Sequence, residues 1–169
     1  MKRVLIALLM VLSLTIIGNA QKINWMTFEE AVKLNETAPK KIFIDVYTDW
    51  CGWCRKMDQT TFQDPEVIAY MNENYYAVKF NAECNDVIMF GGNRYINEGA
   101  GMSGRKGTHQ LAAYLLQGKM SYPSYVFMNE HNQIITVAPG YMESNRFLPI
   151  LKYLGSDAYK TQTFKEYMK

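Results

Sequence analysis

From Val4 to Ile17 the chain is almost unbroken in its apolar character, and beyond that run the hydrophobic positions fall into alternating helical and strand periods. Thr27-Phe28-Glu29-Glu30 has the form of a capping box, so a helix is predicted from there to about Asn35, ended by Thr37-Ala38-Pro39. Ile42-Phe43-Ile44-Asp45-Val46-Tyr47 is a β-branched and aromatic run typical of a buried parallel strand. It leads directly into Trp50-Cys51-Gly52-Trp53-Cys54, after which Arg55-Lys56-Met57 reads as a helix start. Asp64-Pro65-Glu66 opens another helix, with Asp64 as cap, Pro65 in the first helical position and Val67, Ile68 and Met71 as its buried face. Tyr76, Val78 and Phe80 alternate with Ala77 and Lys79, the period of a strand. Thr108 is placed to cap a helix whose apolar residues are Leu111, Ala112, Leu115 and Leu116, closed by Gly118. Tyr122-Pro123 precedes a strand from Ser124 to Met128, and a turn at Glu130-His131-Asn132 leads to a strand from Ile134 to Ala138, an antiparallel hairpin. A last helix is predicted from Ser144 to Leu154, where Pro149 implies a late start or a kink, and Phe164 to Met168 adds a helical turn.

A βαβ unit followed by a ββα unit predicts an α/β domain with a mixed central sheet covered by helices on both faces. No internal repeat or linker divides the chain. The apolar run at the start stands apart from this order. Met1-Lys2-Arg3 is a short basic opening, and the 14 residues from Val4 to Ile17 fall short of the roughly 20 that span a bilayer as a helix. Gly18-Asn19-Ala20 then supplies small residues for cleavage. The reading is a signal peptide over 1–20, cleaved after Ala20, with residues 21–169 as one domain; an uncleaved membrane anchor is the alternative. Without Lys2 and Arg3 the net charge falls from +2 to zero, which argues against nucleic acid as a partner, since phosphate binding needs clustered Lys and Arg.

Export changes the reading of the three cysteines at 51, 54 and 84, because an oxidising compartment favours disulfides. A bond between Cys51 and Cys54 would close too small a loop to restrain much of the unfolded chain, so it makes more sense as a reactive bond than as a staple. At a strand-to-helix junction, the unpaired N–H groups and the positive dipole end stabilise a thiolate at Cys51, the attacking species. Cys54, one turn on, is placed to resolve the mixed disulfide that Cys51 forms. The rival reading, half of a zinc site, needs two further ligands, and Cys84, His109 and His131 form no second pair. Haem attachment needs a His where Arg55 stands. No metal and no cofactor is expected. Gly99-Ala100-Gly101-Met102-Ser103-Gly104 matches a dinucleotide fingerprint in form only, since no strand feeds it and no acidic residue follows at the right distance.

The block from Phe43 to Lys56 resembles the active-site segment of the thioredoxin superfamily. Ser121-Tyr122-Pro123-Ser124-Tyr125 is similar to the family's cis-proline loop, and Gly140 matches the glycine after its last strand. The resemblance spans about Thr27 to Leu154 and is nearest to exported bacterial members with a Cys-Gly-Trp-Cys block. It implies a thioredoxin fold and a thiol–disulfide oxidoreductase in which Cys51 is the exposed nucleophile, Cys54 the buried resolving thiol and Asp45 the buried acid that exchanges a proton with the second Cys. The residues themselves also suggest a raised pKa for a carboxyl in an apolar strand, although Asp45 could instead hydrogen-bond a neighbouring loop. Pro123 is implied to be cis, Tyr122 to bind substrate backbone, and Trp50, Gly52 and Trp53 to belong to the contact surface, with structural packing as the other role for Trp50. The implied partners are protein or peptide disulfides and a redox protein that supplies or accepts electrons.

Two departures from the family pattern leave questions open. Gly-Trp stands between the cysteines instead of Gly-Pro, which leaves the direction of electron flow open; Asp45 favours a periplasmic reductase, an oxidase or isomerase is the alternative, and a non-catalytic peptide-binding module is the rival of another class. The second is an insertion at about 85–107, rich in glycine and carrying Arg94, Arg105 and Lys106, which could select substrates or simply be a flexible connection. Cys84 is either a third redox thiol or a small packed side chain.

Overall fold

A computed structural model of the protein describes residues 22–100 and 107–169. The predicted leader at 1–20, residues 101–104 of the fingerprint, Arg105 and Lys106 lie outside them. Strands β1 (Trp25–Met26), β2 (Lys41–Tyr47), β3 (Tyr75–Asn81), β6 (Ser124–Met128) and β7 (Ile134–Pro139) form a five-stranded sheet in the order β1-β3-β2-β6-β7. The first three are parallel; β6 pairs antiparallel with β2, and β7 with β6, so the sheet is mixed. Between β3 and β6 a small hairpin joins β4 (Ile88–Phe90) to β5 (Asn93–Tyr95).

Side chains alternate across β2, and that alternation divides the core in two. Ile42, Ile44 and Val46 face one layer with α1 (Phe28–Thr37) and α4 (Gln110–Leu115), where Phe28, Ala31, Leu111, Ala112 and Leu115 pack. Phe43 faces the other layer, among residues of α2 (Gly52–Gln59), α3 (Pro65–Asn74) and α5 (Ser144–Gly155): Met57, Val67, Met71, Phe147 and Leu151. Asp45 is two residues on from Phe43 and therefore points to this second layer, on the side of the sheet covered by α2. This one register places the buried acid and the dithiol helix in the same layer.

Local signals explain most of the boundaries. The Thr27–Glu30 capping box is formed in both directions, and Asp64 caps α3 by accepting from the N–H groups of Glu66 and Val67. One expectation needs correction. His109, not Thr108, caps α4, because the buried His109 ring accepts the Leu111 N–H through Nδ1 at 3.1 Å. Helix α5 starts at Ser144, where the sequence predicts it, with Pro149 in its interior. The proline removes the bond to the carbonyl four residues back, and that residue, Asn145, is exposed and can turn to water. The hairpin within the insertion, the short β1 and the 3-10 turn Thr61–Gln63 were not foreseen.

Candidate functional site

Cys51 is the N-cap of α2, in extended conformation at the point where β2 gives way to helix. Its own N–H donates to the Thr48 carbonyl at 3.1 Å, which folds the Thr48–Cys51 segment into a turn. Its Sγ is bonded to Cys54 Sγ and accepts the Cys54 N–H at 3.0 Å. One backbone donor of the first helical turn, the Cys54 N–H, thus points at sulfur, where it favours negative charge. The expectation of an exposed Cys51 beside a buried Cys54 is not met in this disulfide form: Cys51 is 4 % exposed and Cys54 2 %. The reason is direction, since the Cys51 sulfur turns inward over the first helical turn to meet its partner and the Cys54 N–H.

Asp45 is 1 % exposed. Burial penalises its ion and pushes its pKa from the usual 3.8 to about 6, against the opposing pull of the Lys79 ammonium. Lys79, the cross-strand neighbour on β3, donates to Asp45 Oδ2 at 2.7 Å and also to Asp58 on α2. Its ammonium lies 5.0 Å from the centre of the Tyr47 ring, 5.2 Å from that of Trp25 and 5.4 Å from that of Phe62. One cation therefore serves two carboxylates within an aromatic surround. Asp45 Oδ1 has no hydrogen-bond partner among the described residues, which leaves it open to take a proton. Sequence reading placed Lys79 in the strand without assigning it a role and missed Asp58; their signal was a lysine set directly opposite Asp45 in the parallel register and an acid one turn after Cys54.

The two tryptophans stand on the surface on either side of Cys51, Trp50 63 % and Trp53 61 % exposed. Trp50 donates its indole N–H to Glu83 Oε1 at 2.8 Å and meets the Tyr122 ring edge-on, with centroids 5.8 Å apart. Trp53 leans on Tyr141, with centroids 5.4 Å apart, and the Tyr141 hydroxyl lies 3.3 Å from Thr60 Oγ1. Gly52 is exposed between them, and a Cβ there would meet the Arg55 guanidinium at 3.9 Å, an ordinary contact. The Tyr122–Pro123 peptide is cis, and the buried Pro123 gives its carbonyl to the Gly140 N–H at 2.8 Å. Gly140 has a φ of 90°, in the region that glycine enters freely. The structure brings Trp50 and Tyr122 into direct contact, while Asp45 lies in the layer behind the dithiol.

Cys84 is half-buried against the α1–α4 layer, and burial pushes its thiol pKa up, which lowers its thiolate fraction. Among the described residues no cluster of three or more His, Cys, Asp or Glu side chains could hold a metal ion.

The chain is similar to known proteins in part of its sequence and in its fold. The thiol:disulfide interchange protein DsbD of Photorhabdus laumondii is 32% identical over 50 residues, 30% of this chain but only 8% of that protein. Among solved structures, a thioredoxin-fold protein from Helicobacter pylori superposes with a TM-score of 0.61 at 17% identity, over 89% of this chain and 92% of its own. A thioredoxin from Thermus thermophilus gives 0.57 at 14% identity, over 81% and 93%. A DsbH oxidoreductase gives 0.57 at 17% identity, over 85% and 88%. At such identities the likeness is one of fold, and the fold is that of thioredoxin. The thioredoxin-like domain family itself matches residues 28–155, from the first residue of α1 to the last of α5. By that match, over a mixed sheet with a dithiol turn at the end of its central strand, the chain belongs to the thioredoxin-like domain family.

Proposed function

We propose that the protein is a thiol–disulfide oxidoreductase that reduces disulfides of exported proteins or peptides, with Cys51 as nucleophile, Cys54 as resolving thiol and Asp45 as proton acceptor. The observation that carries this reading is the Cys51–Cys54 disulfide at the N-cap of α2, with the Cys54 N–H directed at Cys51 Sγ. In the reduced protein the Cys51 thiolate attacks one sulfur of the substrate disulfide; that bond breaks and the second substrate sulfur leaves as a thiolate. Cys54 loses its proton to Asp45, attacks Cys51 Sγ, restores the disulfide seen here and releases the first substrate sulfur as a thiolate, leaving the substrate reduced by two electrons. A carboxyl that ionises at about pH 6 is suited to accept that proton near neutrality. Trp50, Gly52, Trp53, Tyr122 and Pro123 form the substrate-facing surface around Cys51, and the exposed indoles supply apolar area for a peptide.

Residues 1–20 act as a cleaved signal peptide, and the domain at 21–169, including the insertion at 85–107, works in the periplasm. A redox partner protein returns electrons to the pair. The reading is supported by the family match and by the cluster around Asp45. It is tested by trapping: Cys54→Ser is expected to accumulate a mixed disulfide through Cys51 when mixed with a disulfide-bonded peptide, and Cys51→Ser is not. Trapping through Cys54, or by neither variant, would overturn the assignment of roles.

A further inference from the structure

We propose that Asn97, at the base of the 85–107 insertion, is a positioning residue for the substrate-facing wall at Trp50. This rests on the function proposed above. Asn97 is only 7 % exposed, and its side chain does polar work on every side. Its Nδ2 lies 2.8 Å from the Gly107 carbonyl, 3.1 Å from that of Cys84 and 3.3 Å from that of Glu83, while Oδ1 accepts the Gly99 N–H at 3.2 Å. A primary amide has two N–H groups, so three carbonyls share them and three stretches of chain are drawn together. These are the exit from β3, the turn at 97–99 and the return at Gly107. The approach is close enough that a Cβ built on Gly99 would lie 2.5 Å from Gly107 Cα, and one on Gly107 would lie 2.4 Å from Gly99 Cα.

The stretch that Asn97 fixes is the one that holds the approach to Cys51. Glu83 Oε1 accepts the Trp50 indole N–H at 2.8 Å. The Glu83 N–H donates to Asn81 Oδ1 at 2.9 Å, and Asn81 Nδ2 donates in turn to Asp49 Oδ1 at 3.0 Å. Asp49 and Trp50 are the two residues before Cys51. Because Trp50 is so exposed, burial does little to orient it, and its setting depends on Glu83 and on the edge of Tyr122. Asn97 thus acts on the grip for extended substrates and leaves the chemistry of Cys51, Cys54 and Asp45 alone. The insertion is an integral brace of the site.

The test reads Trp50 directly. Asn97→Ala is expected to move the indole N–H resonance of Trp50, assigned with Trp50→Phe. It should raise KM for a disulfide-bonded peptide about fivefold, the factor one neutral hydrogen bond is worth. The rate with a small aliphatic disulfide should stay unchanged. Asn97→Asp, of the same shape but without the donors, gives the same readout where the alanine variant does not fold. Glu83→Leu keeps the clamp on the backbone and removes the acceptor for Trp50, so it should move the Trp50 resonance as Asn97→Ala does, and the double variant should be no worse than Glu83→Leu alone. An unmoved Trp50 resonance in both Asn97 variants, or additive losses in the double variant, would overturn the proposal. If wild type exchanges with no peptide disulfide, the proposed function fails, while the Trp50 resonance still decides the role of Asn97.

Discussion

Asp45 sits where a carboxylate is costly, and the cost has a definite pH window. Its folded pKa, about 6, lies above the ordinary 3.8, so the folded protein binds this proton more tightly than the unfolded chain does. Stability is therefore highest below that window, declines as pH rises from 3.8 to about 6, and carries the full penalty above it. The gap corresponds to about 3 kcal/mol. Asp45→Asn is expected to raise the melting temperature at pH 7.5 and to change it little at pH 4, with Asp58 remaining as the partner of Lys79; a lower melting temperature at pH 7.5 would contradict the account. The same variant should abolish an inflection near pH 6 in the rate at which Cys54 resolves a mixed disulfide. Lys79→Met works in the opposite direction on the carboxyl. With the ammonium removed, Asp45 holds its proton to higher pH, and the inflection in that rate profile is expected to move above about 6. A profile that moved down or stayed in place would show that Lys79 does not face Asp45 in solution.

The β4–β5 hairpin marks where sequence reading was weakest at the level of elements. Its strands are three residues each, too short for alternation to register, and they lie within a stretch whose glycines suggested a loose connection. The signal that was present is Gly91-Gly92 between Phe90 and Asn93, with φ of 57° and 77°, the pair of positive angles that a tight two-residue hairpin turn requires. Ile88 and Phe90 make the hairpin part of the core: Ile88 is buried with the α1–α4 layer, and Phe90 meets Phe28 edge-on, with ring centroids 5.0 Å apart. Gly92→Val is expected to destabilise this hairpin by about 1–2 kcal/mol, the cost of a left-handed conformation for a residue with Cβ, read as faster hydrogen exchange at Phe90 and Asn93. Elements with a chemical start signal were legible: the Thr27 and Asp64 caps and the β-branched run of β2 each stand where the sequence places them. Thr27→Ala should cost about 1 kcal/mol in a denaturant melt, as loss of an N-cap does elsewhere. The cap of α4 was misassigned because Thr is the commoner capping residue, and only tertiary structure shows that the His109 ring is turned onto the helix, with its Nε2 at 3.0 Å from the Asp86 carbonyl.

Across the whole molecule, the mixed sheet brings together pieces far apart in sequence. The end of β2 carries Cys51 and Trp50, the exit of β3 carries Glu83, the loop before β6 carries Tyr122 and Pro123, and the loop after β7 carries Gly140 and Tyr141. Cys51, Cys54, Asp45 and the Tyr122-Pro123 step were all recognisable as motifs in the sequence. The cluster at Lys79 and Asp58 and the brace at Asn97 were not, because each depends on contacts between elements that no local pattern encodes. In the proposed reaction this assembly works as a reductant. The most direct test is the reduction potential of the Cys51–Cys54 pair, measured by equilibration with thiol buffers. A reductase is expected near roughly −270 mV, and a value near about −120 mV, that of a disulfide donor, would overturn the proposed direction.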